Sequence, residues 1–252
     1  MSFDVAADAY DRYMGRFSRL LSPQMADLAG VRAGQRALDV GCGPGALTTV
    51  LVERLGAKAV AAVDPSHSFV EAARARNPGV DVRLASAERL PFDSRTFDAT
   101  LAQLVVHFMS DPVAGLVELA RVTRAGGSIA ACVWDHAGRQ GPLSMFWKEV
   151  HEVDPEAIGE SNLAGAREGH LAELFAAAGL RAIESTVLSA DLELPSFDDW
   201  WEPFMGGVGP AGAYVAALDE ARRAELRERC RARLPEGPFV MPARAWAARG
   251  LV

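Results

Sequence analysis

Apolar residues along this chain fall into two alternating rhythms. Continuous apolar runs at residues 36–41, 59–64, 80–86, 97–105 and 127–134 predict buried parallel strands. Between them apolar positions recur at helical spacing. Leu47, Val50, Leu51 and Leu55 mark a helix over 46–55, and further helices are predicted over 67–76 and 111–124. Such alternation implies right-handed crossovers and helices on both faces of one sheet. Ligands of such sheets bind outside the carboxyl ends of the strands, where strand order reverses. Gly41, Asp64, Ser86 and Gln103 all fall at or near those ends.

The flanks are less regular. Residues 8–29 predict an opening helical region, broken near Ser22–Pro23. Arg124 to Gly127 reads as a helix stop with glycine available for a left-handed cap. Past Trp134 the pattern gives helices over 142–153 and 168–178, a strand over 181–194 and an aromatic helix from Ser196 to Met205. A flexible joint at Gly206–Pro210 precedes an arginine-rich helix over 211–234. In that helix Asp219 and Arg223, and Glu225 and Arg229, stand four apart and predict solvent-facing pairs. Leu226, Cys230 and Leu234 keep an apolar stripe, and a last strand covers 239–248.

Composition narrows the classes. The chain has 252 residues, half of them apolar, enough for one α/β domain with an elaborated cap. The cofactor-binding core is expected over about 30–135, with the cap drawn from about 1–29, 136–178 and 195–236. No apolar run reaches membrane-spanning length, and the N-terminus lacks the basic-then-apolar order of a signal peptide. The expectation is a cytoplasmic protein, monomer or homodimer, with no membrane partner. Basic residues number 26 against 33 acids, a net charge of −7 that weighs against a nucleic-acid substrate. Cys42, Cys132 and Cys230 fit neither a disulfide framework nor a zinc site, and no histidine pair has metal-ligand spacing with a nearby acid. No metal is expected.

Candidate chemistry begins at Ala37-Leu-Asp-Val-Gly-Cys-Gly-Pro-Gly45, a strand running into three glycines at alternate positions. Glycine lets the backbone turn sharply and approach a ligand closely. The next strand ends in Asp64, whose carboxylate can accept both hydrogen bonds of a ribose diol. Gly41-x-Gly43-x-x-Ala46 also satisfies a dinucleotide fingerprint, so NAD and S-adenosylmethionine both fit at this point.

Later segments separate them. Val80 to Phe92 and Phe97 to Phe108, with Leu38 to Gly45, resemble the motifs of class I S-adenosylmethionine-dependent methyltransferases. The likeness is greatest to small-molecule enzymes similar to the quinone-biosynthesis C-methyltransferases. It covers roughly residues 9–134. It implies a Rossmann-like, doubly wound, seven-stranded, mostly parallel sheet with an antiparallel last strand beside the sixth, and a helical cap. It also implies that Gly41, Gly43 and Gly45 pass beneath the cofactor's methionine part while Asp39 orders the loop or the amino group. Asp64 binds the ribose on this likeness, with Pro65 or Ser66 beside the adenine, Ala87 offering an N–H to it, and Gln103 meeting the ammonium or carboxylate. Glu88 falls in the same adenine-side segment, and Ser86 stands where relatives often carry Asp. Tyr10 to Arg16 resembles a lid helix, which puts Tyr13, Met14 and Arg16 at the cofactor; the alternative is a helix packing its aromatics on the sheet. For Asp64 the alternative is a helix N-cap.

His107, after the fourth strand, either takes a proton from the acceptor or packs ahead of Asp111–Pro112. His136 and His170 read as loop or helix-start residues. Trp134, Phe146, Trp147 and Trp201 cluster after the fifth strand and are expected, with His107, to wall an apolar acceptor pocket. The expected activity is methyl transfer from S-adenosylmethionine, with S-adenosylhomocysteine as product. The acceptor is a small, apolar or aromatic molecule reacting at carbon, oxygen or nitrogen. A non-catalytic module binding S-adenosylmethionine or a nucleoside, and an NAD(P)-dependent oxidoreductase, are the alternatives.

Overall fold

The five apolar runs pair side by side in a computed structural model that describes residues 7–252. The first six residues, part of the expected cap, lie outside the described residues. The strands are β1 (Ala37–Val40), β2 (Val60–Asp64), β3 (Asp81–Leu84), β4 (Phe97–Gln103) and β5 (Thr123–Trp134). Two longer strands, β6 (Arg181–Leu194) and β7 (Phe239–Leu251), complete a seven-stranded sheet of order β3-β2-β1-β4-β5-β7-β6. The first five strands pair parallel, and β7 slots between β5 and β6 antiparallel to both. Strand order reverses between β1 and β4, so a crevice opens at their carboxyl ends.

The chain enters through α1 (Ala7–Tyr10), a π turn (Asp11–Gly15) and α2 (Arg16–Leu28). Crossovers are α3 (Ala46–Leu55), α4 (His67–Arg76) and α5 (Pro112–Val122). Beyond β5 come α6 (Ser144–Val153) and α7 (His170–Ala177); after β6 come α8 (Phe197–Trp201), α9 (Gly209–Ala217) and α10 (Glu220–Arg231). The two-residue period of β5 shows how the core divides. Ile129, Ala131 and Val133 pack with Leu116, Leu119 and Phe175 of α5 and α7, whereas Ala130, Cys132 and Trp134 join Phe17, Leu51 and the cap on the other face. Each large apolar side chain so buried contributes about 2 kcal/mol. No helix among the described residues is long and apolar enough to cross a membrane.

Four local expectations are corrected. Pro23 does not break the opening region: α2 runs through it, and Ser22 Oγ donates back to Ser18 O at 2.8 Å. Arg124 to Gly127 is not a helix cap, because α5 already ends at Val122 and Thr123 is extended. Gly126, at φ +76°, instead lies in a bulge where the β4–β5 register jumps from Phe97↔Thr123 to Ala99↔Ser128. The arginine-rich helix is two helices, since Leu218 is extended and Asp219 N-caps α10 by accepting from Arg222 N at 2.8 Å. The predicted pairs on it also fail to form: Arg223 donates to Val215 O and Leu218 O, and Arg229 turns inward.

Arg229 turns toward Glu149, which is only 1% exposed on α6 and also accepts from Arg233 Nε at 2.9 Å. A buried carboxylate deprived of its cations is far worse than an apolar replacement of the whole group. Replacing Arg229 and Arg233 together by Met is expected to destabilise the fold by about 3 kcal/mol. Adding Glu149→Met to that variant should restore most of the loss, as read by urea denaturation.

Candidate functional site

Where strand order reverses, the β1–α3 turn carries the three glycines, all left-handed, with φ of +69° at Gly41, +52° at Gly43 and +94° at Gly45. Gly41 N and Cys42 N both donate to Val63 O, at 2.8 and 2.9 Å, which pins the turn to the end of β2. Space is as demanding as conformation at Gly41, where a Cβ would stand 2.4 Å from Val105 Cγ2. At Gly43 it would meet nothing closer than Tyr10 at 3.8 Å, so only the backbone conformation requires glycine there.

Asp64 closes the turn. Its Oδ2 accepts from Gly43 N and its Oδ1 from Ser66 N, both at 2.8 Å. Burial pushes this carboxyl up to about 6, with the two N–H donors opposing the shift. The N-cap of α4 is Ser66, so Asp64 is not the helix cap. Beneath the turn Asp39 accepts from Thr48 Oγ1 at 2.6 Å, its other oxygen has no partner among the described residues, and burial pushes it up to about 7. Gln103 ends β4 and donates to Ser18 O at 3.0 Å, and its buried Oε1 has no partner among the described residues.

Gly41, Gly43, Asp64, Pro65 and Gln103 line one pocket together with Tyr10, Phe69 and Phe108. The Tyr10 ring lies 5.2 Å from Phe69. Asp11, the next residue, pairs with Arg76 of α4, so the entry segment is tied across the pocket. Leu104 and Val105 form its back wall. Leu104 has φ +61°, rare for a residue with a branched side chain and typical of functional turns.

Leu104, Tyr10 and Phe108 also face a second chamber, shared with Tyr13, Met14, His107, Trp134, His136 and Glu160. Three buried polar atoms on its residues, Tyr13 Oη, His107 Nδ1 and His136 Nε2, have no partner among the described residues. Leaving such atoms unpaired costs about 1–3 kcal/mol each. The two imidazole centroids are 6.0 Å apart. Burial drives His107 well below its ordinary range and His136 down to about 4, so both rings are neutral at pH 7. Glu160 accepts from Trp147 Nε1 at 2.7 Å, and burial raises it to about 7.

The expected site residues therefore separate. Gly41, Gly43, Asp64, Pro65 and Gln103 converge on the first pocket, with Asp39 bonded to Thr48 beneath the turn, whereas Gly45 packs against Ala73 and Asn77. Tyr13, Met14, His107 and Trp134 converge on the second. Arg16 is at neither: it donates to Asp199 O and lines a separate cleft with Arg12 and Glu202. Ser86 is exposed after β3, Ala87 is buried beside it, and neither lines the pocket. Glu88 accepts from Ser110 N at 2.8 Å and so holds the loop after His107. Phe146 and Trp201 are core, Phe146 stacking on Phe204 at 4.6 Å and Trp201 on Phe197 at 6.1 Å. Trp147 lines an outer cleft beyond Glu160. Reasoning from sequence missed Tyr10, Leu104, His136 and Glu160. His136 stands two residues past β5, so the strand-end rule that selected Gln103 also reaches it.

Residues 38–131 match the family described as "Methyltransferase domain". An uncharacterized methyltransferase of Mycobacterium tuberculosis is 39% identical over 135 residues, covering 54% of this chain and 52% of that protein. A malonyl-[acyl-carrier protein] O-methyltransferase of Erwinia billingiae is 34% identical over 128 residues, covering 51% of this chain and 50% of the relative. The chain thus spans about half the length of the curated relatives it matches. The crystal structure of an S-adenosylmethionine-dependent methyltransferase of Thermotoga maritima, described as a possible histamine N-methyltransferase, superposes with a TM-score of 0.57 at 22% identity. It covers 97% of this chain and 94% of its own.

Gly41→Ala is expected to cost about 3 kcal/mol, from the left-handed backbone and the overlap with Val105 together. Val105→Ala introduced alongside should recover the steric part, roughly half, leaving the conformational part; chemical denaturation of the four proteins closes the cycle.

Proposed function

We propose, from the premise that residues 38–131 are a methyltransferase domain on the fold of the S-adenosylmethionine-dependent methyltransferases, that this chain moves a methyl group to a small apolar or aromatic molecule. One observation carries the reading. The glycine–Asp64 pocket and an apolar chamber share the wall made by Tyr10, Leu104 and Phe108, so a bound cofactor and an acceptor would meet there. The O-methyltransferase relative is named for a malonyl group on a carrier protein, which accords with an acceptor outside the nucleic acids. So does the net charge of −7. We place the enzyme in the cytoplasm, as a monomer or homodimer.

The residues present fit the cofactor on two counts. Gln103 Oε1 is a buried acceptor without a partner, suited to an ammonium group. Gly43, in the pocket lining, leaves open a space that a Cβ would enter, with nothing nearer than Tyr10 at 3.8 Å. When bound, the cofactor supplies a methyl carbon on a cationic sulfur, an electrophile that needs no metal. The chain's own part is to bind, orient and exclude water. Asp64 takes the ribose hydroxyls on the lone pairs left by Gly43 N and Ser66 N, and Gly41, Gly43 and Gly45 bring backbone close to the methionine part. Asp39 braces the turn from below through Thr48. Pro65 and Ser66 border the adenine, with Ala87 and Ser86 farther along that edge. Tyr10, tied down through Asp11 and Arg76, covers the mouth, and the aromatic chamber keeps water from the acceptor.

Calorimetric titration is expected to show tight binding of S-adenosylmethionine and S-adenosylhomocysteine and none of NADH; tight NADH binding alone would replace the reading with an oxidoreductase. A second expectation concerns pH. The Asp64 carboxyl titrates near 6 in the free protein, and its ionised form accepts the ribose hydrogen bonds. Affinity for S-adenosylhomocysteine should therefore fall as pH is lowered from about 7.5 to about 5, by up to tenfold per unit for this group. Asp39, which titrates near 7, adds to the wild-type slope. The informative quantity is the difference from Asp64→Asn, which should bind weakly at every pH and with a flatter profile.

A further inference from the structure

The second chamber has a composition that narrows the acceptor. Its residues include four aromatic side chains, Tyr10, Tyr13, Phe108 and Trp134, and no arginine or lysine. Three of its residues carry buried polar atoms without a partner among the described residues, Tyr13 Oη, His107 Nδ1 and His136 Nε2. They come from three separate parts of the chain, the entry segment, the β4 end and the β5 end, so no local turn explains why all three lack partners. A neutral imidazole nitrogen and a phenol together offer donors and acceptors, and the smallest ligand group that both donates and accepts at one oxygen is a hydroxyl. A carboxylate would meet Glu160 and no cation there. The flat aromatic walls suit a ring as the body that carries the hydroxyl.

We infer that the chamber holds an aromatic acceptor by its hydroxyl group, with His107, His136 and Tyr13 as the residues that recognise it, so that the product is a methyl ether. The inference rests on the methyltransferase reading for its reaction and on the chamber alone for its ligand. His107 in the Nε2–H tautomer presents Nδ1 as the acceptor for the hydroxyl proton. During transfer the O–H bond breaks and its proton passes to His107 Nδ1. The oxygen's electron pair forms the new C–O bond while the carbon–sulfur bond breaks and leaves its pair on sulfur. The imidazolium then returns the proton to water. His136 and Tyr13 position the oxygen, and neither takes part in bond making.

Three near-isosteric probes separate hydroxyl recognition from simple burial: 4-ethylphenol, 4-ethylaniline and 4-ethyltoluene, titrated by calorimetry into the whole chain saturated with S-adenosylhomocysteine. The phenol is expected to bind at least about tenfold more tightly than the toluene. Tyr13→Phe and His136→Asn should each erase most of that preference while the toluene affinity stays unchanged. His107→Asn should do the same and, in turnover of 4-ethylphenol, lower kcat as well as raise KM, whereas Tyr13→Phe and His136→Asn act mainly on KM. Equal binding of phenol and toluene, tighter binding of the aniline, or a preference untouched by Tyr13→Phe would overturn the inference. Tyr13→Phe removes one oxygen and keeps the ring, so it serves even where a histidine variant fails to fold. Absence of S-adenosylhomocysteine binding strikes the methyltransferase reading instead; the same probes titrated without it still decide the hydroxyl question.

Discussion

The hydrogen bond from Gly43 N to the Asp64 carboxylate, at 2.8 Å, is the constraint on which the rest of the site depends. It joins the turn after β1 to the end of β2 through a side chain, where the backbone bonds from Gly41 N and Cys42 N to Val63 O have already drawn them together. Three left-handed glycines at alternate positions are held in one conformation when hydrogen bonds anchor the turn, because glycine loses more freedom on folding than any other residue. Asp64 does this with one oxygen and secures the start of α4 with the other, through Ser66 N. The carboxylate that would bind a ribose thus also shapes the pocket around it.

Burial then sets the electrostatics. Asp39 and Asp64 are both raised by desolvation, Asp39 further because Asp64 is near. Two acids beneath a glycine turn, one with an open oxygen, favour a ligand that brings positive charge. The neighbouring chamber is biased the other way: its two imidazoles are kept neutral, each by desolvation and His107 also by His136. In water these groups would cost little. In a low-dielectric wall each becomes selective, because an unmatched ligand leaves it unpaired. The division of the crevice into a cation-seeking half and a neutral half follows from where each side chain is buried.

Much of this was legible in the chain itself. Parallel-strand runs, the glycine turn and Asp64 could be read because their signals are local: apolar continuity, obligatory glycine and a strand-end acid each act over a few residues. The π turn, the bulge at Gly126 and the split at Leu218 were not legible. Each depends on a choice between nearly equal backbone states that tertiary contacts decide, as when Asp219 caps a new helix in preference to continuing the old one. The expected arginine pairs failed for a similar reason. Spacing of four makes Glu225 and Arg229 neighbours, but the buried Glu149 draws Arg229 in the folded protein more strongly than an exposed acid can. Glu160 was invisible as a site residue because nothing near it in sequence marks a ligand, and the lid-like stretch did not single out Tyr10 from its neighbours.

Leu104 shows why the acceptor side resists reading from sequence while the structure makes it plain. It has the composition of a strand residue and follows Gln103 without a break in the apolar run, so pattern alone continues the strand to 105. The backbone instead turns left-handed at this residue, φ +61°, as its N–H donates to Cys132 O on β5. Such a conformation costs about 1–2 kcal/mol for a residue with a Cβ. The cost is sustained because the turn directs Val105 against Gly41 and carries His107 to the other side of the partition. Were β4 to continue straight, Val105 could not back the glycine turn and His107 could not face His136. A single strained residue therefore couples the two halves of the crevice, and the tight fit at Gly41 is the counterpart on β1 of the same turn.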